Sequence, residues 1–504
     1  MRSKWLSLKS GSDIRGCASA CEGHEVLLDR ELAQCVGYAL ALWLSRKTGI
    51  TPDKLTFAVG RDSRVSGEKL SQGLIYGITA ADCDVMDCGL CTTPAMFMTT
   101  ILGGGKADGA VMITASHHPW YNNGFKLMTR EGGLKGADIE EILKEAMEIE
   151  VPQRLVTKVD FLSVYKEYLK DIVRKRLDTH DMCPLVGLHV VVDAGNGAGG
   201  FYADFLEELG ADTTGSRYLE PDGTFPNHVP NPESPEAMRA LSEAVLENEA
   251  DLGVIFDADC DRAAIVDENG RAINRNRLIA LISAILLDEQ TGSTIVTDSV
   301  TSSGLTKFIQ EWGGVHYRFK RGYRNVIDEA IRLEDEGIDC PIAIETSGHA
   351  AMRENHFLDD GMYLATRLIC EAMKRKRQGE TLCSLIDELQ EPIESAEIRM
   401  DILAEDFRAA GQSAIETVLS HTIEDHSWQL APDNREGVRI LFNLDGGIEN
   451  GWFLLRLSVH DPVMPLNVES DVEGGVKQML SQLYDLLSDN EDLDLAPLKK
   501  ALEA

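Results

Sequence analysis

Short, β-branched apolar runs alternate with longer amphipathic stretches through about the first 390 residues of the chain. Leu55–Val59, Gly109–Thr114, His189–Asp193, Leu252–Phe256, Thr294–Thr297 and Pro341–Ile344 are each about five residues long, which suits a strand and is too short for a helix. Each ends in a polar or glycine-rich turn. Stretches with helical periodicity follow, as at Gly199–Leu209, Ser234–Leu246 and Gly361–Lys376. This alternation predicts α/β layers with mostly parallel strands. The last quarter has another rhythm: Gly437–Phe442, Trp452–Leu455 and Pro465–Val468 read as strands without long helices between them. A helix from about Val472 to Leu487 then closes the chain, giving an α+β module. Proline, charge or polar turns break the periodicity near 150, 272 and 391, which predicts domains at 1–150, 151–272, 273–390 and 391–504. No repeat of solenoid period is present.

The 504 residues fit three or four domains at about 150 residues each, and 43% hydrophobic residues suffice for several cores. With 83 acidic against 49 basic residues the net charge is −34, which argues against nucleic acid or an anionic membrane as partner. The best apolar run, Leu278–Leu287, contains Ser283 and falls short of the roughly 18 residues of a membrane helix. Lys4, Lys9, Asp13 and Arg15 interrupt any signal-peptide core. A cytoplasmic location with its eleven cysteines reduced is the expectation, and oligomeric state is not legible.

In open α/β sheets, ligands bind beyond the carboxyl ends of strands. Ala115-Ser116-His117-His118-Pro119 follows one predicted strand, and Asp257-Ala258-Asp259-Cys260-Asp261-Arg262 a second. Glu345-Thr346-Ser347-Gly348-His349 follows a third, and Arg456-Leu457-Ser458 a fourth. If these ends converge, they build one polar cleft. Alternate carboxylates on a loop can turn onto one hard cation, Mg²⁺ or Ca²⁺; the competing reading is an acidic surface turn. An EF-hand is excluded: Glu268 falls at loop position twelve, but Arg262 stands where the turn needs glycine, and the flanks read as strands. Ser116 reads either as a nucleophile or phosphate carrier with a histidine as proton shuttle, or as a turn serine bonding its own backbone. The surroundings are not a G-x-S-x-G elbow. Arg15, Lys126, Arg262, Lys320, Arg321, Arg324 and Arg456 are candidate anion ligands, with Arg456 and Ser458 best placed for a remote phosphate.

Two further patterns carry alternatives. Gly195-Asn196-Gly197-Ala198-Gly199-Gly200, with Glu220 downstream, satisfies the dinucleotide fingerprint and would suit an oxidoreductase, although a strand-to-helix turn also uses glycines for packing. Cys83, Cys88 and Cys91 have iron–sulfur spacing but lack a fourth cysteine in reach, and cysteine is also a common small buried hydrophobe.

Taken together, the strand-end motifs resemble those of the α-D-phosphohexomutase family, in that family's order across nearly the whole chain. Gly11-Ser12-Asp13-Ile14-Arg15-Gly16 is similar to its N-terminal loop, and Gly60-Arg61-Asp62-Ser63-Arg64 to a second signature. Thr114 to Pro119 resembles its phosphoserine loop, with Asn123-Gly124-Phe125-Lys126 behind it. Asp257 to Arg262 resembles the metal loop and Glu345 to His349 the sugar-binding loop. The resemblance implies three related mixed-sheet α/β domains plus a smaller C-terminal α+β domain around a central cleft. It implies a phosphohexomutase of the phosphoglucomutase/phosphomannomutase type that interconverts hexose 1-phosphate and hexose 6-phosphate, of glucose and/or mannose. Phosphorylated Ser116 would pass its phosphoryl group to the sugar phosphate, giving a hexose 1,6-bisphosphate that is both intermediate and activator.

By the same resemblance, Ser116, Asp257, Asp259 and Asp261 would hold Mg²⁺. Arg262 and Lys126 would hold the transferring group, His117 and Lys126 would move the proton, and Arg15 would complete the catalytic set. Glu345, Ser347 and His349 would meet sugar hydroxyls, beside the sugar-selecting loop Gly322-Tyr323-Arg324. Arg456, Ser458 and His460 would take the phosphate that is not reacting. A phosphoglucosamine mutase, or a non-catalytic member that binds sugar phosphates for regulation, are the alternatives within this resemblance. The chain departs from the family's pattern in three places. His118 replaces an asparagine, and Tyr323 matches none of the usual subgroup signatures. Arg456-Leu457-Ser458-Val459-His460-Asp461-Pro462 stands for Arg-Pro-Ser-Gly-Thr-Glu-Pro, so His460 would replace the threonine donor.

Overall fold

The computed structural model describes residues 2–102, 106–152, 157–458 and 461–503. The apolar runs form strands at Thr56–Arg61, Gly109–Ile113, Val190–Asp193, Leu252–Phe256, Thr294–Thr297 and Ile342–Ile344, nearly every residue of them buried. Burial on both faces explains why continuous apolar runs, not period-two alternation, announce them. The chain packs as two units, one of Met1–Leu278 with Ser347–Ser384, the other of Ile279–Thr346 with Leu385–Ala504.

In the first unit, Thr56–Arg61 pairs in parallel with Asp84–Leu90 and Gly109–Ile113, while Asn122–Thr129 runs antiparallel to Gly109–Ile113 and to Asp13–Cys17. Helices Arg30–Thr48, Gly67–Ala80 and Gly136–Glu148 accompany this sheet, and Phe57, Val59, Val111, Ile113, Phe125 and Leu127 lie in its core. Each such side chain contributes roughly 1.5–3 kcal/mol on burial. Further on, Val190–Asp193 lies parallel to Leu252–Phe256, which turns at once into antiparallel Ala263–Asp267. The sheets are therefore mixed, as the family resemblance implies, and not mostly parallel as the alternation alone predicts. A parallel neighbour needs a long crossover, whereas the chain reverses directly after Ile113 and after Phe256. Both reversals carry the candidate chemistry.

Segment Ser347–Ser384 returns to the first unit as the antiparallel pair Ala350–Met352 and Leu358–Asp359, then helix Gly361–Gln378. Asp360 caps that helix, accepting from the Tyr363 amide at 2.7 Å and from the Tyr165 hydroxyl, on helix Leu162–Arg176, at 2.8 Å.

The second unit begins with three parallel strands, Val315–Arg318, Thr294–Thr297 and Ile342–Ile344, with helices Ser303–Glu311 and Tyr323–Asp335. Its C-terminal sheet is antiparallel throughout, in the order Glu394–Asp401, Val463–Ser470, Gly451–Leu455, Val438–Phe442, Gln429–Leu430. Two expectations change here. Helix Phe407–Glu424 precedes the predicted strands; its packed face holds Ala410, Gly411 and Ala414 beside Ile415 and Val418, so small residues weaken its hydrophobic contrast. Helix Gly475–Leu487 does not close the chain, because Ala496–Glu503 follows with Leu498 in the core. The chain is thus α/β in three successive regions and α+β in the fourth. Among the described residues, no helix is long and apolar enough to cross a membrane.

Candidate active site

Ser116 stands on the reversal after Gly109–Ile113, with φ +53°, a left-handed conformation unusual for serine. Its Oγ is buried and donates to Asp257 Oδ2 at 2.8 Å. Arg262 Nη2 donates to the same Oγ and to His117 Nδ1. The sequence neighbours Asp257, Asp259 and Asp261 are fully buried, and each offers one oxygen within 4.8 Å of the others. Lys126, on strand Asn122–Thr129, approaches Asp259 Oδ2 at 3.1 Å and bonds Asp261 Oδ2. Arg15 lies on the neighbouring strand, where Asp13 faces Lys126, and pairs with Asp13 at 2.8 Å.

The acidic loop is braced from outside. The Thr93 hydroxyl donates to Asp259 Oδ2 at 2.5 Å and its amide to the Asp259 carbonyl at 2.9 Å. Gly197 lies so close that a Cβ there would fall 2.6 Å from the Ala258 carbonyl oxygen, and the Ala198 amide donates to that oxygen at 2.8 Å. The glycine pattern that suggested a dinucleotide is thus accounted for by packing on the aspartate loop. Cys83, Cys88 and Cys91 are buried, and burial pushes the Cys83 and Cys88 thiols up to about 12.

Charge is unbalanced at this point. Lys126, Arg262 and the protonated His349 bring three positive charges to four buried carboxylates, Asp257, Asp259, Asp261 and Asp359. Burial, then Asp261 and Asp259, push Asp257 up to about 8. Burial also raises Asp261, but Lys126, His349 and Arg262 reverse this and hold it well below the usual carboxylate range. Asp259 Oδ1 and Asp261 Oδ1 are buried without a hydrogen-bond partner. Such oxygens are costly unless something positive meets them, and an all-oxygen set suits a hard divalent cation. The donor set therefore fits a metal ion.

Two histidines border the cluster in opposite states. Burial, then the Arg262 charge, push His117 down to about 2, so its imidazole is neutral. Burial also lowers His349, but Asp359 and Asp261 outweigh it and raise it to about 9. His349 Nδ1 lies 2.6 Å from Asp359 Oδ2 and 3.8 Å from Asp261 Oδ1. Gly348 delivers this histidine: its φ is +97°, its carbonyl accepts from the Ala263 amide at 3.3 Å, and a Cβ would stand 2.6 Å from the Ala263 oxygen. Gly348→Ala should therefore cost about 1–3 kcal/mol of stability and displace His349; a denaturation midpoint equal to the wild type's would refute this.

Ser347 is buried in the first unit, its Oγ without a hydrogen-bond partner. The remaining predicted residues belong to the second unit. The Gly322 amide donates to Glu345 Oε1 at 2.6 Å, with Gly322 at φ +114°, and Tyr323 and Arg324 open the following helix, Arg324 pairing with Asp328 at 2.8 Å. Arg456 is buried with its Nε unpartnered; burial pushes its pKa down against the attraction of Glu436. The Ser458 amide donates to the Val463 carbonyl at 2.9 Å, and Ser458 Oγ accepts from the Asp461 amide at 3.4 Å. His460 lies outside the described residues. The first unit thus brings together Ser116, His117, Lys126, Asp257, Asp259, Asp261, Arg262 and His349, with Arg15 one strand away. Sequence reasoning missed Thr93 and Asp359. Asp360 has a readable signal as an N-cap before Gly361, whereas Thr93 and Asp359 have none.

A buried serine held among three carboxylates, a lysine and an arginine, on α/β reversals, fits an enzyme of the phosphoryl-transfer class. The chain matches phosphoglucomutase/phosphomannomutase α/β/α domain I over residues 7–153, domain II over 166–270 and domain III over 274–393. It is 32% identical over 447 residues to a phosphomannomutase/phosphoglucomutase of Pseudomonas putida, covering 87% of this chain and 89% of the relative. It is 28% identical over 487 residues to a phosphoglucomutase of Neisseria gonorrhoeae, covering 95% and 96%. A phosphoglucomutase/phosphomannomutase family protein from Burkholderia thailandensis superposes with a TM-score of 0.78 at 25% identity, covering 96% of this chain and 98% of the other. The chain belongs to the phosphoglucomutase/phosphomannomutase family, the α-D-phosphohexomutases.

Proposed function

We propose that this protein is a phosphohexomutase that interconverts the 1- and 6-phosphates of glucose or mannose through phosphorylated Ser116. The observation that carries this reading is the Ser116 Oγ, 2.8 Å from Asp257 Oδ2, with Arg262 donating to the same oxygen. Phosphoryl transfer is mostly positioning and charge stabilisation, and both are supplied at that atom. Mg²⁺, held by Asp257, Asp259, Asp261 and an oxygen of phosphorylated Ser116, would neutralise charge developing on the transferred group. A phosphoserine adds about −1.5 to −2 charge to an already acidic site, so cation binding and phosphorylation are coupled.

In the forward step the bond between phosphorus and Ser116 Oγ breaks and a bond from phosphorus to the sugar hydroxyl oxygen forms. His117 and Lys126 move the hydroxyl proton, which ends on the departing Ser116 Oγ, 3.4 Å from His117 Nδ1, so the serine leaves as its hydroxyl. Arg262 and Lys126 hold the transferring group, and Arg15 supports them. The resulting hexose 1,6-bisphosphate then returns its other phosphoryl group to Ser116. Glu345, Ser347 and His349, with the Gly322–Arg324 loop, bind sugar hydroxyls, and Arg456 and Ser458, with His460, bind the phosphate that is not reacting. Four domains, at 1–150, 151–272, 273–390 and 391–504, divide these tasks in a protein of the cytoplasm whose partners are small sugar phosphates.

A phosphorus NMR time course tests the reading. The protein receives Mg²⁺, a trace of glucose 1,6-bisphosphate, and α-glucose 1-phosphate or α-mannose 1-phosphate in separate tubes. The 6-phosphate resonance should appear, and the faster tube names the sugar. Two static tubes, followed by a static glucosamine 1-phosphate tube, would refute it.

A further inference from the structure

The reversal that carries Ser116 is held from beneath by a residue no catalytic role includes. Arg64 follows strand Thr56–Arg61 and is 1% exposed. Its Nη1 donates to the Pro119 and Asn122 carbonyls, each at 3.0 Å, and its Nη2 to the Ser116 carbonyl. Its Nε donates to Asp62 Oδ2 at 3.0 Å. The same Asp62 oxygen accepts from the Thr114 hydroxyl at 2.8 Å, and Thr114 Oγ1 in turn accepts from the Ser116 amide at 2.9 Å. One guanidinium therefore fixes the carbonyl of Ser116, and through Asp62 and Thr114 also its amide. Both peptide groups that flank a left-handed serine are pinned.

The clamp is closed over by the second α/β region. The Phe225 ring lies 5.2 Å from the Arg64 guanidinium carbon, and the Ser63 hydroxyl donates to the Asn196 carbonyl at 2.9 Å. Gly223 passes so near that a Cβ would fall 2.3 Å from the Ser63 carbonyl oxygen and 2.6 Å from Arg64 Cα. A buried guanidinium is costly unless its donors are used, and Arg64 uses its fork on three carbonyls and a carboxylate.

We propose that Arg64, acting through Asp62 and Thr114, is a positioning residue for phosphoryl transfer: it holds Ser116 in the one backbone conformation that presents Oγ to Asp257 and Arg262. The proposal rests on the reading of Ser116 as the phosphate carrier. The loop alone would relax toward a right-handed serine and turn Oγ out of line. A lysine supplies a point charge that can satisfy Asp62 but cannot bridge three carbonyls.

The test compares wild type, Arg64→Lys, Thr114→Val and Thr114→Ser. Each is assayed for mutase kcat and KM, for uptake of phosphate on Ser116 from glucose 1,6-bisphosphate by intact mass, and for folding by circular dichroism. Thr114→Val is nearly isosteric and keeps the test open if Arg64→Lys fails to fold. For Arg64→Lys, kcat and the phosphorylation rate should fall on the order of 10²-fold, and for Thr114→Val about tenfold. KM should stay within about twofold in both, and Thr114→Ser should recover wild-type turnover. Turnover of folded Arg64→Lys or Thr114→Val equal to wild type, or a Thr114→Ser no better than Thr114→Val, would overturn the proposal. A wild type that neither turns over nor takes up phosphate would instead remove the carrier reading, and the proposal with it.

Discussion

Ser116→Ala should lower mutase turnover by roughly four orders of magnitude or more, because loss of a nucleophile removes the covalent route itself. The fold should survive. The Asp257 carboxylate keeps the Arg262 amide at 3.3 Å and Nε at 3.1 Å as donors, so the missing hydroxyl leaves few buried groups unmet. A loss within about 1–2 kcal/mol is expected. Sugar-phosphate binding should persist, since no phosphate contact assigned to the second unit is touched. The measurements are the phosphorus NMR time course, intact mass after exposure to glucose 1,6-bisphosphate, and a thermal melt. A variant that kept a tenth of the wild-type rate, or still gained a phosphate at the same peptide, would remove Ser116 from the chemistry.

The second large effect concerns the cation. Chelation should abolish turnover and Mg²⁺ should restore it. Asp259→Asn should weaken Mg²⁺ binding and lower turnover together, on the order of 10³-fold at fixed Mg²⁺, since a metal contributes several kcal/mol of charge stabilisation. Asparagine can still accept the Thr93 hydroxyl bond, so the loop should keep its shape while losing one charge. Excess Mg²⁺ should recover part of the rate. Calorimetric Mg²⁺ affinity of Asp259→Asn equal to wild type would show that the carboxylate is not a ligand. Affinity lost with full turnover would show that the metal is not needed.

How much of this was legible follows from where each signal lives. Ser116 and Asp257–Arg262 stand out because polar residues immediately follow fully buried apolar runs, a contrast the chain carries locally. His349 follows an apolar run and so stands out as a candidate, but its place beside Asp261 is not readable, since the Arg262–His349 bridge joins distant segments. Thr93 is supplied to Asp259 from 166 positions away and Asp359 to His349 across a hairpin, so composition near either residue says nothing. The alternation alone misjudges strand direction for a similar reason, while the family resemblance implies the mixed sheets. Apolar periodicity reports burial, whereas parallel or antiparallel pairing depends on whether the turn contains a crossover. Helix Phe407–Glu424 escaped because alanine and glycine make up three of the five residues buried on its face, and small residues bury without looking hydrophobic.

The return of Ser347–Ser384 to the first unit makes that unit discontinuous, and this sets an order of manufacture. When Leu278 leaves a ribosome, the aspartate loop exists, but His349 and the cap Asp360, partner of a tyrosine 195 positions earlier, do not. At about 5–20 residues per second, seconds of synthesis pass before they arrive. Through that interval three buried-to-be carboxylates have only Lys126 and Arg262 against them. The cluster around Ser116 is therefore among the last parts of the first unit to close, and a nascent chain carries that serine without finished surroundings.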